Sequence, residues 1–155
     1  MPQLKEGIKA PEFKAISSEG KEVALKNYKG KNRVVLYFYP KDDTPGCTVE
    51  ACSFRDAIRK IENTDTVVLG VSPDDTKSHN KFIDKFKLPF LLLSDTEKEI
   101  CKEYGVWVKK SMYGREYMGV ARTTVIIGKD GKIEKIYEKV KPEGHAEEVL
   151  EFLKR

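Results

Sequence analysis

One stretch of the chain, residues 34–54, places a cysteine where a strand gives way to a helix. Residues 34–39 read VVLYFY, with the length and the β-branched and aromatic content of a buried strand. Pro40 ends that run, and a polar loop containing Pro45 follows. We therefore predict a strand, a short constrained loop and a helix that opens with Cys47 and buries one apolar face, made of Ala51, Phe54, Ile58 and Ile61.

The predicted position of Cys47 favours chemical reactivity. Backbone N–H groups in the first turn of a helix have no intrahelical partners, and the helix dipole places partial positive charge there. Both effects stabilise a thiolate, the nucleophilic form of cysteine. The alternative is that Cys47 is simply a small buried residue, the usual state of a free cysteine. The polar loop with two prolines favours the reactive interpretation, and Cys52 supplies a second thiol five residues further on.

Length and composition indicate a globular protein. The chain of 155 residues suits one domain, 1–155, and an apolar content of 39% argues against disorder. Three cysteines are too few, and too odd a number, for a secreted disulfide framework. No apolar segment reaches the length of a membrane span, and residues 1–6 carry no signal-peptide pattern. We therefore expect a cytoplasmic protein without membrane association.

The charge pattern indicates an ordinary solvated surface. The 29 basic and 25 acidic residues give a net charge of +4, and the lysines are scattered among glutamates and aspartates. Nucleic-acid binding requires a concentrated basic patch, so we expect no nucleic-acid partner.

Strand and helix patterns alternate through the first two thirds of the chain. Residues 13–16 and 21–25 predict an N-terminal β-hairpin with a Gly-containing turn. Residues 66–71 and 90–93 predict buried strands. Each is followed by helix-capping residues and a helical pattern, the first ended by Leu88-Pro89 and the second by Gly105. This alternation favours an α/β fold with parallel strand pairs.

The last third of the chain changes character. Residues 122–127 predict a strand, residues 128–131 a hairpin turn, and residues 132–137 a second, alternating strand. A final helix is predicted to open at Pro142. Together the elements predict a thioredoxin-like fold, in which helices flank a central mixed β-sheet.

Residues 106–121 interleave aromatic residues and methionines with charged residues. Ordinary packing against the body of the domain is the favoured interpretation. An extended strand and loop beside the active site, or a surface that docks a partner, are the alternatives.

The residues before and after Cys47 carry a family resemblance. Pro40-x-x-x-Thr44-x-x-Cys47 resembles the active-site loop of the peroxiredoxins, which reduce peroxides with a cysteine thiolate. The second cysteine, Cys52, makes the chain similar to the bacterioferritin-comigratory-protein (PrxQ) subfamily. The resemblance extends from the GxxAPxF motif at residues 7–13 to the last helix. It implies the same thioredoxin-like fold.

The resemblance also implies roles for site residues. Cys47 is the peroxidatic cysteine, which attacks a peroxide and becomes a sulfenic acid, and Cys52 is the resolving cysteine, which converts that acid to an intramolecular disulfide. Arg122 stabilises the thiolate and the leaving group, a task that suits a guanidinium, although an arginine before a strand is otherwise an ordinary surface residue. Thr44 donates to the thiolate or accepts from the peroxide, or is only a turn residue. Pro40 sets the loop backbone.

The implied activity is an atypical 2-Cys peroxidase. Its substrates are hydrogen peroxide and alkyl hydroperoxides, and its electrons come from a thioredoxin-like dithiol. The chemistry needs no cofactor, and the sequence contains no phosphate loop or dinucleotide fingerprint. We expect a monomer or, at most, a weak homodimer.

The third cysteine and the histidines suggest no further chemistry. Cys101 lies among apolar residues of a predicted helix and is interpreted as structural, with resolution of Cys47 as its fallback role. His79 and His145 have no neighbours at ligand spacing. The acidic pairs at 42–43 and 74–75 are interpreted as solvated charge and helix caps, so we expect no metal.

Two other functions remain open at this stage. A protein thiol–disulfide oxidoreductase is the first, although such enzymes usually space their cysteines as Cys-x-x-Cys, and four residues separate Cys47 from Cys52. A zinc-binding or purely structural domain is the second, and the cysteine spacing is poor for a metal.

Overall fold

A computed structural model describes residues 4–155. The prediction for the N-terminus, residues 1–6, therefore lies partly outside the described residues. A seven-stranded mixed sheet and a separate two-stranded sheet contain nine strands in the described range: β1 (Lys14–Ser17), β2 (Glu22–Ala24), β3 (Arg33–Phe38), β4 (Thr66–Ser72), β5 (Leu91–Ser94), β6 (Trp107–Met112), β7 (Arg115–Val120), β8 (Thr123–Ile127) and β9 (Ile133–Tyr137). The α-helices are α1 (Pro45–Glu62), α2 (Thr76–Phe86), α3 (Glu99–Glu103) and α4 (His145–Leu153).

The large sheet has the strand order β2-β1-β5-β4-β3-β8-β9. Strands β3, β4 and β5 are parallel neighbours, joined by crossovers through α1 and α2. Strand β8 pairs antiparallel with β3, and β9 with β8. Strands β1 and β2 form the predicted N-terminal hairpin, and β1 pairs antiparallel with β5. The mixed sheet that the sequence predicts is therefore observed.

Apolar side chains pack on both faces of this sheet. Helices α1, α2 and α4 cover one face, where Phe54, Phe82 and Val149 are buried. Helix α3 and the N-terminal segment cover the other, where Ile100 and Phe13 are buried. The two buried faces explain why the central strands are continuous apolar runs rather than alternating ones. None of the helices in residues 4–155 is long and apolar enough to cross a membrane.

A glycine makes room for an aromatic ring under the central sheet. Gly70 on β4 pairs with Tyr37 on β3, and a Cβ added to Gly70 would lie 2.9 Å from Tyr37 Cζ and 2.7 Å from Leu92 Cδ2. The ring of Tyr37 stacks on that of Phe54, with centroids 4.8 Å apart. Because Gly70 has no side chain, the Tyr37 ring fits over β4 and packs against Phe54 of α1, close to the loop that carries β3 into α1.

Three predicted helix starts differ from the observed ones. Helix α1 begins at Pro45, two residues before Cys47, because proline is favoured in the first turn of a helix. Helix α4 begins at His145 rather than at Pro142, after Gly144 in the left-handed region. The helix predicted directly after the strand at residues 90–93 begins only at Glu99.

The segment 106–121 differs most from its favoured interpretation. It forms a β6–β7 hairpin that pairs only with itself among the described strands. Trp107 packs against the core, but Met112 and Met118 at the outer end are exposed, and Tyr113 at the turn is 99% exposed. Ordinary packing is therefore wrong for the outer half of this segment, which is an extended hairpin.

Candidate active site

Cys47 lies in the first turn of α1, and its side chain is buried with 2% exposure. Thr44 is the N-cap residue with an extended backbone, and Pro45 follows at the first helical position. The first-turn N–H groups and the positive end of the helix dipole are therefore next to the thiol, as the sequence predicts.

Arg122 is brought to Cys47 by the pairing of β8 with β3. Thr123 pairs with Phe38 at the end of β3, so Arg122, one residue earlier, lies beside the loop that leads into α1. Its Nη2 donates to Cys47 Sγ at 3.4 Å. Burial lowers the pKa of Arg122, but Cys47 and Glu50 raise it by more, and the net direction is upward. The guanidinium therefore remains charged.

Glu50 is a buried residue of the site that the sequence analysis missed. Its carboxylate is 1% exposed and accepts from Arg122 Nη1 at 2.8 Å through Oε1. Oε2 has no hydrogen-bond partner among residues 4–155. Burial raises the pKa of Glu50 to about 7, although Arg122 lowers it in part. The only hint in the sequence is the position of Glu50, which follows Cys47 within one helical turn and is next to Ala51 of the apolar face.

Gly46 is a second residue that the sequence analysis missed. A Cβ at Gly46 would lie 3.2 Å from Arg122 Nη2 and 3.6 Å from Pro142 Cγ. The guanidinium therefore lies close to the backbone of the helix start, where a side chain would press against it.

Lys110 of the hairpin is close enough to Arg122 and Cys47 for them to affect its pKa. Burial and then Arg122 lower the pKa of Lys110, and Cys47 raises it.

Thr44 and Pro40 are located in the loop as predicted, but the hydroxyl of Thr44 has a local partner. Thr44 Oγ1 donates to the carbonyl of Lys41 at 3.0 Å, and the Thr44 carbonyl accepts from the N–H of Thr48 at 2.8 Å. Pro40 is half-buried between β3 and this turn. In this structure the hydroxyl of Thr44 thus closes the turn rather than contacting Cys47.

The other two cysteines are in different surroundings. Cys52 is half-buried on the same continuous helix as Cys47, and all three cysteines are free thiols. Cys101 is fully buried in α3, where burial and then Asp95 raise the pKa of its thiol far above the usual range. An inert thiol is expected from such burial, which agrees with the structural interpretation of Cys101.

The acidic pair at 42–43 is not simply solvated charge, which corrects the sequence interpretation. Asp42 is buried, and its Oδ2 lies 2.7 Å from His79 Nδ1. His79 is fully buried as well. Asp75, by contrast, caps α2 by accepting from the N–H of Ser78, as predicted. His145 is also buried, between Glu148 and Thr124.

A thioredoxin-like fold with a buried cysteine in the first turn of a helix, held by an arginine, defines a protein with thiol-based redox chemistry. Comparison with known proteins identifies the group. The AhpC/TSA family model matches residues 7–136. Peroxiredoxin Bcp of Bacillus subtilis is 48% identical over 96% of this chain and 94% of its own length. Peroxiredoxin Bcp of Escherichia coli is 41% identical over 99% and 98%.

Solved structures agree with the sequence comparison. A variant of PrxQ from Xylella fastidiosa superposes with a TM-score of 0.93 at 35% identity, over 99% of this chain and 98% of that one. The bacterioferritin comigratory protein of Xanthomonas campestris gives 0.90 at 34% identity, over 97% and 98%. The chain belongs to the AhpC/TSA family, in its Bcp (PrxQ) group of peroxiredoxins. It is a thiol-dependent peroxidase, so the fold and the activity that the motif implied are confirmed.

Proposed function

We propose that Cys47 is the peroxidatic cysteine and that Arg122 is the group that makes it reactive toward peroxides. The observation that carries this assignment is the 3.4 Å contact between Arg122 Nη2 and Cys47 Sγ at the start of α1. Peroxiredoxins act on peroxides with a thioredoxin-like reductant. The relative from Xanthomonas campestris is described in connection with alkyl peroxide reduction. We propose hydrogen peroxide and alkyl hydroperoxides as the substrates of this chain.

In the first step the Cys47 thiolate attacks the terminal oxygen of the peroxide. The S–O bond forms as the O–O bond breaks, which leaves a sulfenic acid and an alkoxide or hydroxide. The leaving oxygen takes up a proton and departs as an alcohol or water. The guanidinium of Arg122 stabilises the negative charge on both the sulfur and the leaving oxygen. Thr44, by turning its hydroxyl away from Lys41, adds a donor or an acceptor for the bound peroxide, and Pro40 fixes the loop that carries it.

In the second step Cys52 attacks the sulfur of the Cys47 sulfenic acid. An S–S bond forms and water leaves, which protects Cys47 from further oxidation. On a regular helix two residues five positions apart have Cα atoms roughly 8.6 Å apart, whereas a disulfide requires about 6.8 Å or less. Both cysteines lie on the continuous helix α1. The first turns of α1 must therefore unwind before the disulfide forms.

In the third step a dithiol reduces the Cys47–Cys52 disulfide. Unwinding removes the helix dipole that stabilised the thiolate and exposes the disulfide to the reductant. We propose a thioredoxin-like protein as that reductant, the cytoplasm as the compartment, and a monomer or weak homodimer formed from the single domain 1–155. The reaction consumes no cofactor, because thiols supply all of its electrons.

Two cysteine variants test this assignment. Cys47→Ser should abolish peroxide consumption coupled to a thioredoxin and its reductase. Cys52→Ser should undergo one turnover and stop at the sulfenic acid, which a dimedone adduct detected by mass spectrometry would identify. Cys101→Ser is the matched control and should retain turnover. Steady coupled turnover by Cys47→Ser would overturn the assignment. Protein-disulfide reduction by the parent without peroxide consumption would instead favour a thiol–disulfide oxidoreductase.

A further inference from the structure

The loop that leads to Cys47 is fixed to α2 by a buried contact between Asp42 and His79, which the peroxidase chemistry does not itself use. The carboxylate of Asp42 and the imidazole of His79 are 3% and 0% exposed, and Oδ2 lies 2.7 Å from Nδ1. The two residues are 37 positions apart, one in the loop between β3 and α1 and the other in α2. A buried charged group is tolerated only where its partners are well placed, so this contact strongly constrains the loop.

His79 makes a second buried contact through its other ring nitrogen. Its Nε2 lies 3.1 Å from the carbonyl oxygen of Leu93 on β5. A carbonyl only accepts, so Nε2 carries a proton and donates it. Nδ1 faces the carboxylate of Asp42, at 2.7 Å from Oδ2. His79 therefore links the loop to β5 as well as to α2.

Asp42 makes three further hydrogen bonds. Its Oδ2 accepts from Ser78 Oγ at 2.8 Å, and its Oδ1 accepts from the hydroxyl of Tyr39. Its backbone N–H donates to Asp74 Oδ2 at 2.8 Å. Oxygen and nitrogen atoms of Asp42, Asp74 and His79 all lie within 4.8 Å of one another. Both nitrogens of His79 and both oxygens of Asp42 are occupied by these protein contacts, so the cluster is a hydrogen-bond network rather than a set of free ligands.

The network is adjacent to a strained position of the loop. Asp43 has φ of 57°, in the left-handed region that costs energy for residues other than glycine. Such a conformation persists only where neighbouring contacts hold it. Its side chain forms a bridge to Lys85 at 2.8 Å, but both partners are exposed, at 44% and 59%. The buried contacts of Asp42 are thus the stronger constraint on the turn that ends at the N-cap residue Thr44.

We propose that His79 is a positioning residue for the peroxide reaction, acting through Asp42 to hold residues 40–44 so that the first turn of α1 presents Cys47 to Arg122. The proposal rests on the proposed function of Cys47.

The test compares two reactions of Cys47 in the reduced protein. Peroxide oxidation needs the thiolate of Cys47 together with a correctly placed loop and Arg122 to stabilise the leaving oxygen. Alkylation by iodoacetamide needs the thiolate but has no leaving oxygen for Arg122 to stabilise. We expect His79→Ala to slow peroxide oxidation by about 10-fold or more, as for catalytic groups misplaced by about 1 Å. The alkylation rate should fall by much less than the peroxide rate, a difference that general destabilisation would not produce. Lys85→Ala is the matched control, since it breaks the exposed bridge between the same loop and helix, and it should remain within about twofold of the parent in both reactions.

A second variant keeps the proposal testable if His79→Ala does not fold. Ser78→Ala removes one donor to Asp42 Oδ2 but retains His79, and it should slow peroxide oxidation by a few-fold in the same selective manner. His79→Asn, whose amide can still donate toward Asp42, should recover part of the rate lost in His79→Ala. A parent that never reacts with peroxide would contradict the proposed function itself. Peroxide rates of His79→Ala and Ser78→Ala equal to that of the parent, or an equal loss in both reactions, would overturn the role of His79 alone.

Discussion

The guanidinium of Arg122 reaches the thiol of Cys47 across 75 positions of sequence, with Nη2 at 3.4 Å from Sγ. The same guanidinium donates to Glu50 Oε1 through its other terminal nitrogen, at 2.8 Å. A planar fork therefore spans the nucleophile and a buried carboxylate on one turn of α1. Because the Glu50 carboxylate orients the guanidinium, we expect the geometry of the guanidinium to matter as much as its charge.

Two substitutions of Arg122 should distinguish the effect of its positive charge from the effect of its hydrogen-bond geometry. Arg122→Lys retains the positive charge but loses the fork, and peroxide oxidation of Cys47 should slow by about 10- to 100-fold, the range for a lost hydrogen bond to a charged group. Arg122→Met should slow it further. Stopped-flow oxidation of the reduced protein measures both. Arg115→Met on the exposed hairpin is the control for loss of an arginine, and it should behave as the parent. Parent-like oxidation of Arg122→Met would show that Arg122 is not needed.

Adding one methyl group at Gly46 should slow the reaction without harming the fold. The new Cβ would lie 3.2 Å from Arg122 Nη2, so the guanidinium must move by a few tenths of an ångström. Alanine is also a better helix former than glycine, by up to about 1 kcal/mol. We expect Gly46→Ala to be as stable as the parent or more so, yet several-fold slower with peroxide. Thermal unfolding and stopped-flow rates measure the two effects, with Ser53→Ala on α1 as the control. A slower reaction that is fully accounted for by lower stability would contradict this explanation.

Glu50 should make stability depend on pH. Burial raises its pKa to about 7, above the 4.5 of an ordinary glutamate. Between these values the folded protein holds a proton that the unfolded chain has lost, so the contribution of Glu50 to stability falls as pH rises and levels off above about pH 7. The total change is at most on the order of 3 kcal/mol.

Glu50→Gln cannot titrate, so its stability relative to the parent should improve from pH 5 to pH 7 and then remain constant. Urea denaturation at several pH values measures this difference. Glu97→Gln, at an exposed position, should show no such trend. A constant difference between parent and Glu50→Gln across this range would mean that Glu50 titrates normally.

Much of the fold and part of the site can be predicted from local sequence. The apolar run before Pro40 and the helical spacing after Cys47 are local patterns, and both were observed with the helix start shifted by two residues. Arg122 was predicted mainly through the family resemblance, because its place before an apolar strand does not by itself distinguish it from a surface arginine.

Residues that act through distant contacts could not be predicted in this way. Gly46 and Glu50 owe their importance to Arg122, which reaches them only once β8 pairs with β3. From the sequence, Asp42 is interpreted as a solvated loop residue, because its contact with His79 forms only when α2 packs beside the loop. The outer part of the β6–β7 hairpin carries apolar residues that ordinarily indicate burial, and no periodicity reveals that they extend away from the core.

Unwinding of α1 should be visible in amide hydrogen exchange. Both cysteines lie within Pro45–Glu62, and a regular helix keeps their Cα atoms too far apart for a disulfide. Amides from Cys47 to about Phe54 should exchange faster in the oxidised protein than in the reduced one. Amides of β3 and α2 serve as the internal control and should be unchanged. Equal protection of this stretch in a protein with a proven Cys47–Cys52 bond would contradict the required unwinding.

Mass spectrometry of the protein after one equivalent of peroxide tests the central claim most directly. The account predicts a mass decrease equal to two hydrogen atoms and a proteolytic fragment in which Cys47 is joined to Cys52, with Cys101 still a free thiol. Cys52→Ser should instead gain one oxygen atom on Cys47. A bond from Cys47 to Cys101 would remove Cys52 from the mechanism, and a reacted protein with Cys47 still a free thiol would contradict the account as a whole.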